Sequence, residues 1–255
     1  MSLSDGRTIT CDVLVGSDGI RSPTHSLISP PSSSPLIYLD VFVMLGIFTP
    51  KRTDARELTD GKTVLQMSDG ETRFYAMPYD KERYMWQLSF PAPLVEAPEY
   101  GENLKGKAME MCAGFKWVEG MISDTDEGEV SGYPVYDRDV VPDFRTLPIE
   151  GGEFVTVIGD AAHPMSPFKG QGANQGLIDA LKLARTLSMV EDWKDVGSMN
   201  ERVGEFEREM QARAGVKVAK SREAARFLHT PVVLEEGDVT RGGMEDMINN
   251  STKNV

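Results

Sequence analysis

Residues Phe154 to Leu187, reading FVTVIGDAAHPMSPFKGQGANQGLIDALKLARTL, leave the chain few choices of fold. Phe154, Val155, Val157 and Ile158 form a short apolar, partly β-branched run that stops at Gly159, the signature of a buried strand. Pro164 and Pro167 keep the following loop out of helix, and Gly170 and Gly172 let the backbone approach a ligand before a helix opens near Ala173. The spacing predicts an amphipathic helix with Leu177, Leu181, Ala184 and Leu187 on its apolar face, and Asp179, Lys182 and Arg185 elsewhere. Strand, loop and helix N-terminus together offer free N–H groups and the positive end of a helix dipole to an anion. Asp160 cannot partner an anion; its carboxylate suits hydroxyl donors, so the expected ligand carries both an anionic group and a polyol or ribose.

Two other readings are weaker. Gly170-x-Gly172 is not a dinucleotide fingerprint, because Gln175 stands where the third glycine of G-x-G-x-x-G belongs and Gly176 is one residue late. Asp160 and His163 lack the further ligands that a metal centre needs, so no metal is expected. A purely structural strand-turn-helix would not call for proline, three glycines and asparagine in one loop.

Composition bounds the rest. A chain of 255 residues with 40% hydrophobic content holds one large domain or two intimate ones. Its 27 basic and 40 acidic residues give a net charge of −13, which argues against nucleic acid and anionic membrane surfaces as partners. Cys11 and Cys112 form no C-x-x-C pair and read as reduced core residues. The first ten residues, MSLSDGRTIT, contain no apolar leader core, and no stretch approaches the length of a membrane span, so a cytoplasmic protein is expected.

In chain order, Leu3 to Thr10 around Asp5-Gly6 reads as a β-hairpin running on into a buried strand, Cys11 to Val15. That strand ends at Gly16-Ser17-Asp18-Gly19, and a short helix with Pro23 early in it follows. Ser29 to Pro35, SPPSSSP, is a linker by composition. Strands are then expected at Leu36 to Thr49, Thr63 to Met67, Thr72 to Tyr79 and Arg83 to Phe90, the last with Tyr84, Trp86, Leu88 and Phe90 on a core face. The opposite face, with Met85, Gln87 and Ser89, suits solvent or the wall of a pocket equally well. A helix from Glu99 to Phe115, an acidic loop and a strand from Val130 to Tyr136 come next; Arg138 could meet a substrate or pair at the surface with Asp137 or Asp139, and the surface pair is the expectation. Met199 to Leu228 reads as a long helix buried through Val203, Phe206, Met210, Ala214, Val218, Ala225 and Leu228, its alternating charges forming a solvated face with a Glu209–Arg213 pair. Pro231 ends it, and a weakly ordered tail is expected beyond.

Gly159-Asp160-Ala161-Ala162-His163-Pro164, with Pro167-x-x-Gly170-x-Gly172-x-Asn174 and Asp179-Ala180, resembles the second flavin-contacting motif of the single-component FAD-dependent aromatic hydroxylases. Asp12 to Gly19, with Ser22, is similar to the same family's Asp-Gly motif, although relatives carry Val-Arg where this chain has Thr24-His25. The resemblance implies a mixed α/β fold: a partial FAD-binding Rossmann-like domain, an inserted, mainly antiparallel substrate-binding sheet and C-terminal helices. It divides the chain into 1–29 and 149–230 as cofactor domain, 36–148 as substrate sheet and 231–255 as tail. It implies Pro167 at the reacting edge of the flavin, Asp160 on the ribityl chain, and Gly159, Gly170, Gln171, Gly172, Ala173 and Asn174 around the ring, with Asp18 and Gly19 near the phosphates. The implied activity is a monooxygenase in which NAD(P)H reduces FAD and O2 serves to hydroxylate an aromatic or otherwise electron-rich small molecule. The strand-turn-helix with G-x-G-x-x-G that holds the ADP half of FAD in relatives is missing from these 255 residues. The expectation is an N-terminally truncated monooxygenase, colourless by itself and needing the missing segment or a partner, with a non-catalytic binding or regulatory module of the same fold as the alternative.

Overall fold

The computed structural model describes residues 4–30, 32–51, 60–94, 103–140 and 154–235. Its strands and α-helices run in the order β1 (Val13–Gly16), α1 (Pro23–Ile28), β2 (Leu36–Phe48), β3 (Leu65–Ser68), β4 (Arg73–Pro78), β5 (Tyr84–Pro91), α2 (Leu104–Met111), α3 (Val118–Ser123), β6 (Thr125–Arg138), β7 (Phe154–Val157), α4 (Gly172–Ser188) and α5 (Val196–Phe227). Contacts divide the chain into two units, Met1–Leu39 with Tyr136–Ala224, and Asp40–Val135 with Ala225–Val255.

In the first unit, β1 and β7 pair in parallel, Val13 opposite Phe154 and Gly16 opposite Val157, and the Ile158 N–H donates to the Gly16 carbonyl at 2.9 Å. The register brings both strand ends to one edge. Gly16 is glycine because a Cβ there would lie 2.6 Å from the Thr24 Cβ and 2.9 Å from Val157. Ile28, Val155, Val157, Ala161, Ala162, Leu183, Phe206 and Met210 form the core, so α1, α4 and α5 all bury side chains with β7. The long helix keeps its expected apolar stripe: Met199, Val203, Phe206, Met210, Ala214 and Val218 are buried.

Several expectations are corrected here. The hairpin before β1 does not form among the described residues. Asp5 and Gly6 turn, Gly6 at φ 82°, but residues 4–12 are exposed and give a strand pair nothing to bury. Cys11 is exposed with them rather than a core residue, whereas Cys112 is buried. Around Ser29 to Ser34 the chain is a turn rather than a loose linker. Ser29 and Ser34 are buried, and Ser33 donates through both its N–H and its hydroxyl to the Pro30 carbonyl. Residues 99–102, 141–153 and 236–255, which include the start of the expected second helix and most of the expected tail, lie outside the described residues.

The largest correction concerns the face of α4. Leu177 and Leu181 are 71% and 53% exposed, and the buried positions are Gln175, Asp179 and Leu183. A polar hub accounts for this. One oxygen of Asp179 accepts from the Gly159 N–H at 2.9 Å and from His163 Nε2 at 2.7 Å, while the other accepts from Arg213 on α5 at 2.7 Å. Arg213 also donates to Gln175 at 2.5 Å and to Glu209 at 3.1 Å, and Glu209 pairs with Lys182 at 2.6 Å. Three side chains of α4, Gln175, Asp179 and Lys182, tie it to α5, and Asp179 ties it to the end of β7 as well, which outweighs the apolar stripe. The alternating charges of α5 are therefore not simply a solvated face, since Arg213 turns inward and the buried Glu207 accepts from Thr156 of β7 at 2.8 Å.

In the second unit, β3, β4, β5, β2 and β6 form one sheet in that order, with Phe42 opposite Phe90 and Gly46 opposite Trp86. Tyr84, Trp86, Leu88 and Phe90 of β5 all enter its core, with Phe74, Met121 and Ile122. Trp86 is fully buried, stacks on Phe74 at 6.0 Å and donates its indole N–H to Thr125 at 2.9 Å. The sequence places glycine where these rings lie: a Cβ on Gly46 would sit 2.7 Å from the Trp86 ring, and one on Gly132 would sit 2.6 Å from Phe42. β6 is longer than expected at both ends, and α3 occupies part of the stretch read as an acidic loop.

Two outcomes test this account. Gly46→Ala should lower the denaturation midpoint by the cost of overpacking, about 1–3 kcal/mol, because Trp86 has no space into which to withdraw. Asp179→Ala should cost about 3–5 kcal/mol, since it leaves Arg213 and His163 without their buried acceptor. Burial raises the Asp179 carboxyl, but the hydrogen bonds from His163 and Arg213 outweigh it, and the net shift is downward. Its stabilisation is thus complete above the ordinary carboxylate value of about 4 and is lost as pH falls through the lower folded value. Chemical denaturation between neutral and acid pH should show that loss in the wild type and not in Asp179→Ala.

Candidate functional site

Two loops leave the same edge of the parallel pair, the position at which open α/β sheets bind ligands. The first, after β1, carries Asp18 and Gly19. The Asp18 carboxylate accepts from Ser22 Oγ at 2.5 Å, Thr24 Oγ1 at 2.7 Å and the Thr24 N–H at 3.1 Å, while Ser22 Oγ accepts from the His25 N–H at 2.8 Å and caps α1. Burial raises the Asp18 carboxyl, but these donors outweigh it and lower the pKa overall. The carboxylate is spent on shaping its own loop. Thr24, standing where relatives carry valine, is one of its donors. Gly19 has φ 82° with open space where a Cβ would point, so its backbone is accessible.

The second loop, after β7, carries the rest. Gly159 has φ 58°, and its Cα side faces Gly176 of α4 closely enough that an added Cβ would lie 3.6 Å from the Gly176 Cα. The glycine that arrives one residue late for a dinucleotide turn serves this close crossing. Asp160 follows, exposed, and accepts no hydrogen bond from the described residues. Desolvation by its surroundings raises its pKa, with His163 opposing, and the exposed carboxylate is open to hydroxyl donors. Pro167 opens a short 3-10 turn, Pro167–Lys169, which closes on Gly170 at φ 60°. Ser166 Oγ anchors this turn by donating to the Ser221 carbonyl of α5 at 2.7 Å.

Helix α4 then starts at Gly172 with Gln171 at its cap position and no side chain capping its first N–H groups. Gly172, Ala173 and Asn174 make the first turn, with Ala173 and Asn174 exposed. A Cβ on Gly172 would lie 3.7 Å from an Asp160 oxygen, so the free helix end and the free carboxylate are neighbours. An uncapped positive helix end beside a hydroxyl-seeking carboxylate suits a ligand that is anionic at one point and polyhydroxylated at the next. His163 is fully buried on Asp179 and takes no part in that opening.

Arg138 was expected at the surface with Asp137 or Asp139, and the structure overturns this. Arg222 of α5 takes both acids, with two bonds to Asp137 at 2.7 and 2.8 Å and one to Asp139 at 2.7 Å. Arg138 is buried and donates to the Ala161 carbonyl at 3.1 Å and, more weakly, to the Ile20 carbonyl at 3.5 Å, one contact in each loop. The available signal was the twofold alternation of a strand, which sends the two aspartates one way and the arginine the other. For the Asp179 hub it was the polar spacing Gln175, Asp179 along a helix otherwise rich in leucine.

Residues 145–214 match the family described as FAD binding domain. Over 192 residues the chain is 29% identical to aurachin C monooxygenase/isomerase of Stigmatella aurantiaca, covering 73% of this chain and 45% of that protein. It is 25% identical over 198 residues to the phenazine 1,6-dicarboxylic acid hydroxylase PhzS of Lysobacter antibioticus, covering 71% and 46%. The chain thus spans about half the length of the curated relatives it matches. Klebsiella pneumoniae HpxO, solved with FAD and uric acid, shares the fold at a TM-score of 0.73 and 20% identity, over 91% of this chain and 56% of that one. Among the described residues no helix is long and apolar enough to cross a membrane. With the motif, the site geometry and the relatives in agreement, residues 145–214 are an FAD binding domain in kind, and the chain is similar to FAD-dependent monooxygenases.

Proposed function

We propose that this chain forms the flavin-facing part of an FAD-dependent monooxygenase that uses NAD(P)H and O2 to hydroxylate an aromatic or otherwise electron-rich small molecule, in a cytoplasmic setting. The observation that carries the reading is the pairing of an uncapped α4 N-terminus with the Asp160 carboxylate, which has no partner among the described residues, across Gly172. FAD fits that pairing, because its ribityl hydroxyls suit the carboxylate and its N1–C2=O edge, anionic when reduced, suits the helix end.

When bound, FAD supplies the redox and oxygen chemistry, and the protein supplies position, polarity and exclusion of water. Asp160 holds the ribityl chain. Gly170, Gln171, Gly172, Ala173 and Asn174 offer backbone N–H groups and close approach at the ring, Pro167 shapes its reacting edge, and Gly159 sets the turn that presents Asp160. Gly19 gives backbone access near the phosphates, while Asp18 acts through the loop that it organises. The antiparallel sheet of the second unit is assigned to substrate, its mixed face of Met85 and Gln87 suiting a partly polar ring, while Ser89 is buried on His229. The relatives' names, a monooxygenase and a hydroxylase, and the uric acid bound to HpxO support a small heteroaromatic or aromatic substrate class.

Asp160→Ala should weaken FAD binding by about 1.5–3 kcal/mol, the range for hydrogen bonds to a charged group, with the fold intact because no described residue leans on that carboxylate. Flavin titration with circular dichroism on the same samples reads both, and unchanged FAD affinity in a folded variant would remove Asp160 from the site. Gly172→Val tests the helix end separately. Its Cβ would meet only Asp160 at 3.7 Å and Met165 at 3.8 Å, ordinary contacts that the fold tolerates, so the damage should fall on the flavin. Loss of bound flavin, or a lower reduction potential, is the expected result; a wild-type flavin spectrum and potential would place this loop away from the ring.

A further inference from the structure

His229 anchors the segment that follows the long helix. Among residues 229–235 it is the one buried side chain, while Pro231, Val232, Leu234 and Glu235 are exposed. The Pro231 backbone lies on Gly70 of the β3–β4 turn, where an added Cβ would sit 3.2 Å from the Pro231 Cα. The His229 ring is bonded at both nitrogens. Nδ1 lies 2.6 Å from the Ala225 carbonyl of α5, which can only accept, so Nδ1 carries the hydrogen; Nε2 then accepts from the Ser89 hydroxyl of β5 at 2.8 Å.

This arrangement requires a neutral ring. A proton added at Nε2 turns that acceptor into a donor, and the Ser89 hydroxyl must swing its own hydrogen toward the Arg73 carbonyl, 3.5 Å away and a poor acceptor at that distance. Of the elements packed around the ring, α5 offers a carbonyl, β5 a hydroxyl and β4 the buried Arg73 guanidinium, which repels a second cation. The acids of the β3–β4 turn are Asp69, whose carboxylate accepts from the Glu71 and Thr72 N–H groups at 2.9 and 2.7 Å, and the exposed Glu71. Burial lowers the His229 pKa, the hydrogen bond to Ala225 opposes it, Arg73 adds to the lowering, and the net shift is downward.

We propose that His229 is a pH-sensitive clasp: neutral, it fastens residues 229–235 to β5, and protonated, it releases them. The clasped form binds fewer protons than the released one. It is therefore fully favoured above the ordinary histidine value of about 6.5 and loses ground as pH falls from there through the lower folded value. A segment held by one buried side chain opens locally, without disturbing the core of Phe74, Trp86 and Leu88 on the opposite face of the sheet. Release uncovers Ser89. The clasp depends on the second unit alone, and only this consequence, a face assigned to substrate that opens at one end in acid, rests on the function proposed above.

Hydrogen exchange of the full chain without flavin tests the clasp, so a failed FAD titration leaves its outcome untouched. Protection of the hydrogen-bonded amides of His229, Thr230 and Val233, corrected for the intrinsic exchange rate at each pH, is compared at pH 7.5 and 5.5 with that of β5. In wild type the three amides should lose protection by up to about tenfold at the lower pH, the limit for one proton at one pH unit below the released value, while β5 holds. His229→Gln cannot take up the proton, and its protection, whatever its level, should be the same at both pH values. Ser89→Ala keeps the histidine but removes the donor that only the neutral ring accepts, so the difference between the two pH values should shrink. Equal protection of wild type at the two pH values, an equal fall in His229→Gln, or a full fall in Ser89→Ala would overturn the proposal. Loss of protection in β5 together with the segment would make His229 an ordinary core residue and overturn it as well.

Discussion

A carboxylate that takes hydrogen bonds from three separate elements sets the geometry of the first unit. Asp179 is wholly buried on α4 and holds the Gly159 N–H at the end of β7, the His163 ring in the loop and the Arg213 guanidinium on α5. A buried carboxylate is tolerated only when nearly all of its acceptor capacity is filled, so these partners cannot drift independently. Gly159 is thereby held in its left-handed turn, and Asp160, the next residue, is turned out to solvent instead of into the hub. The same constraint orients α4 with Gln175 and Asp179 inward, which leaves Leu177 and Leu181 on the outside.

A division of labour between neighbouring charges follows along β6. Asp137, Arg138 and Asp139 alternate across the strand, so the two acids reach Arg222 of the long helix while the arginine reaches the loops. Among the described residues Arg222 pairs with two acids, whereas the hydrogen bonds of Arg138 go to carbonyls. Only the second stands where the parallel pair ends and the loops begin. Helix α4 adds the partial positive charge of its uncapped N-terminus at the same edge.

The second unit obeys a packing constraint rather than an electrostatic one. Its sheet is organised by Trp86 and Phe42, and Gly46 and Gly132 are the places where strands give up side chains so that these rings can lie flat against backbone. His229, just after the long helix, joins the same unit through Ser89 at 2.8 Å and the Ala225 carbonyl at 2.6 Å. Glycine in the middle of a strand is locally unfavourable, and here the burial of a large aromatic side chain offsets that cost.

By itself the sequence determined the strand-loop-helix of residues 154–187, the alternation that sends Trp86 and its neighbours inward, the stripe that buries α5, and the likeness of residues 145–214 to an FAD binding domain. Each of these is a local period or a run of residue types that permits few backbones, so it can be read without knowing what lies opposite. The tertiary structure alone decided which face of α4 is buried, whether Arg138 reaches solvent, and whether Cys11 enters a core. Local spacing favoured a leucine face for α4 and surface pairs for Arg138, since apolar periodicity and adjacent opposite charges are usually sufficient guides. They failed where a partner distant in sequence, Arg213 for Asp179 and Arg222 for Asp137, supplied a buried charge-assisted bond stronger than the local preference. The identity of such a partner is set by the register of packed elements, and no window of neighbouring residues contains it.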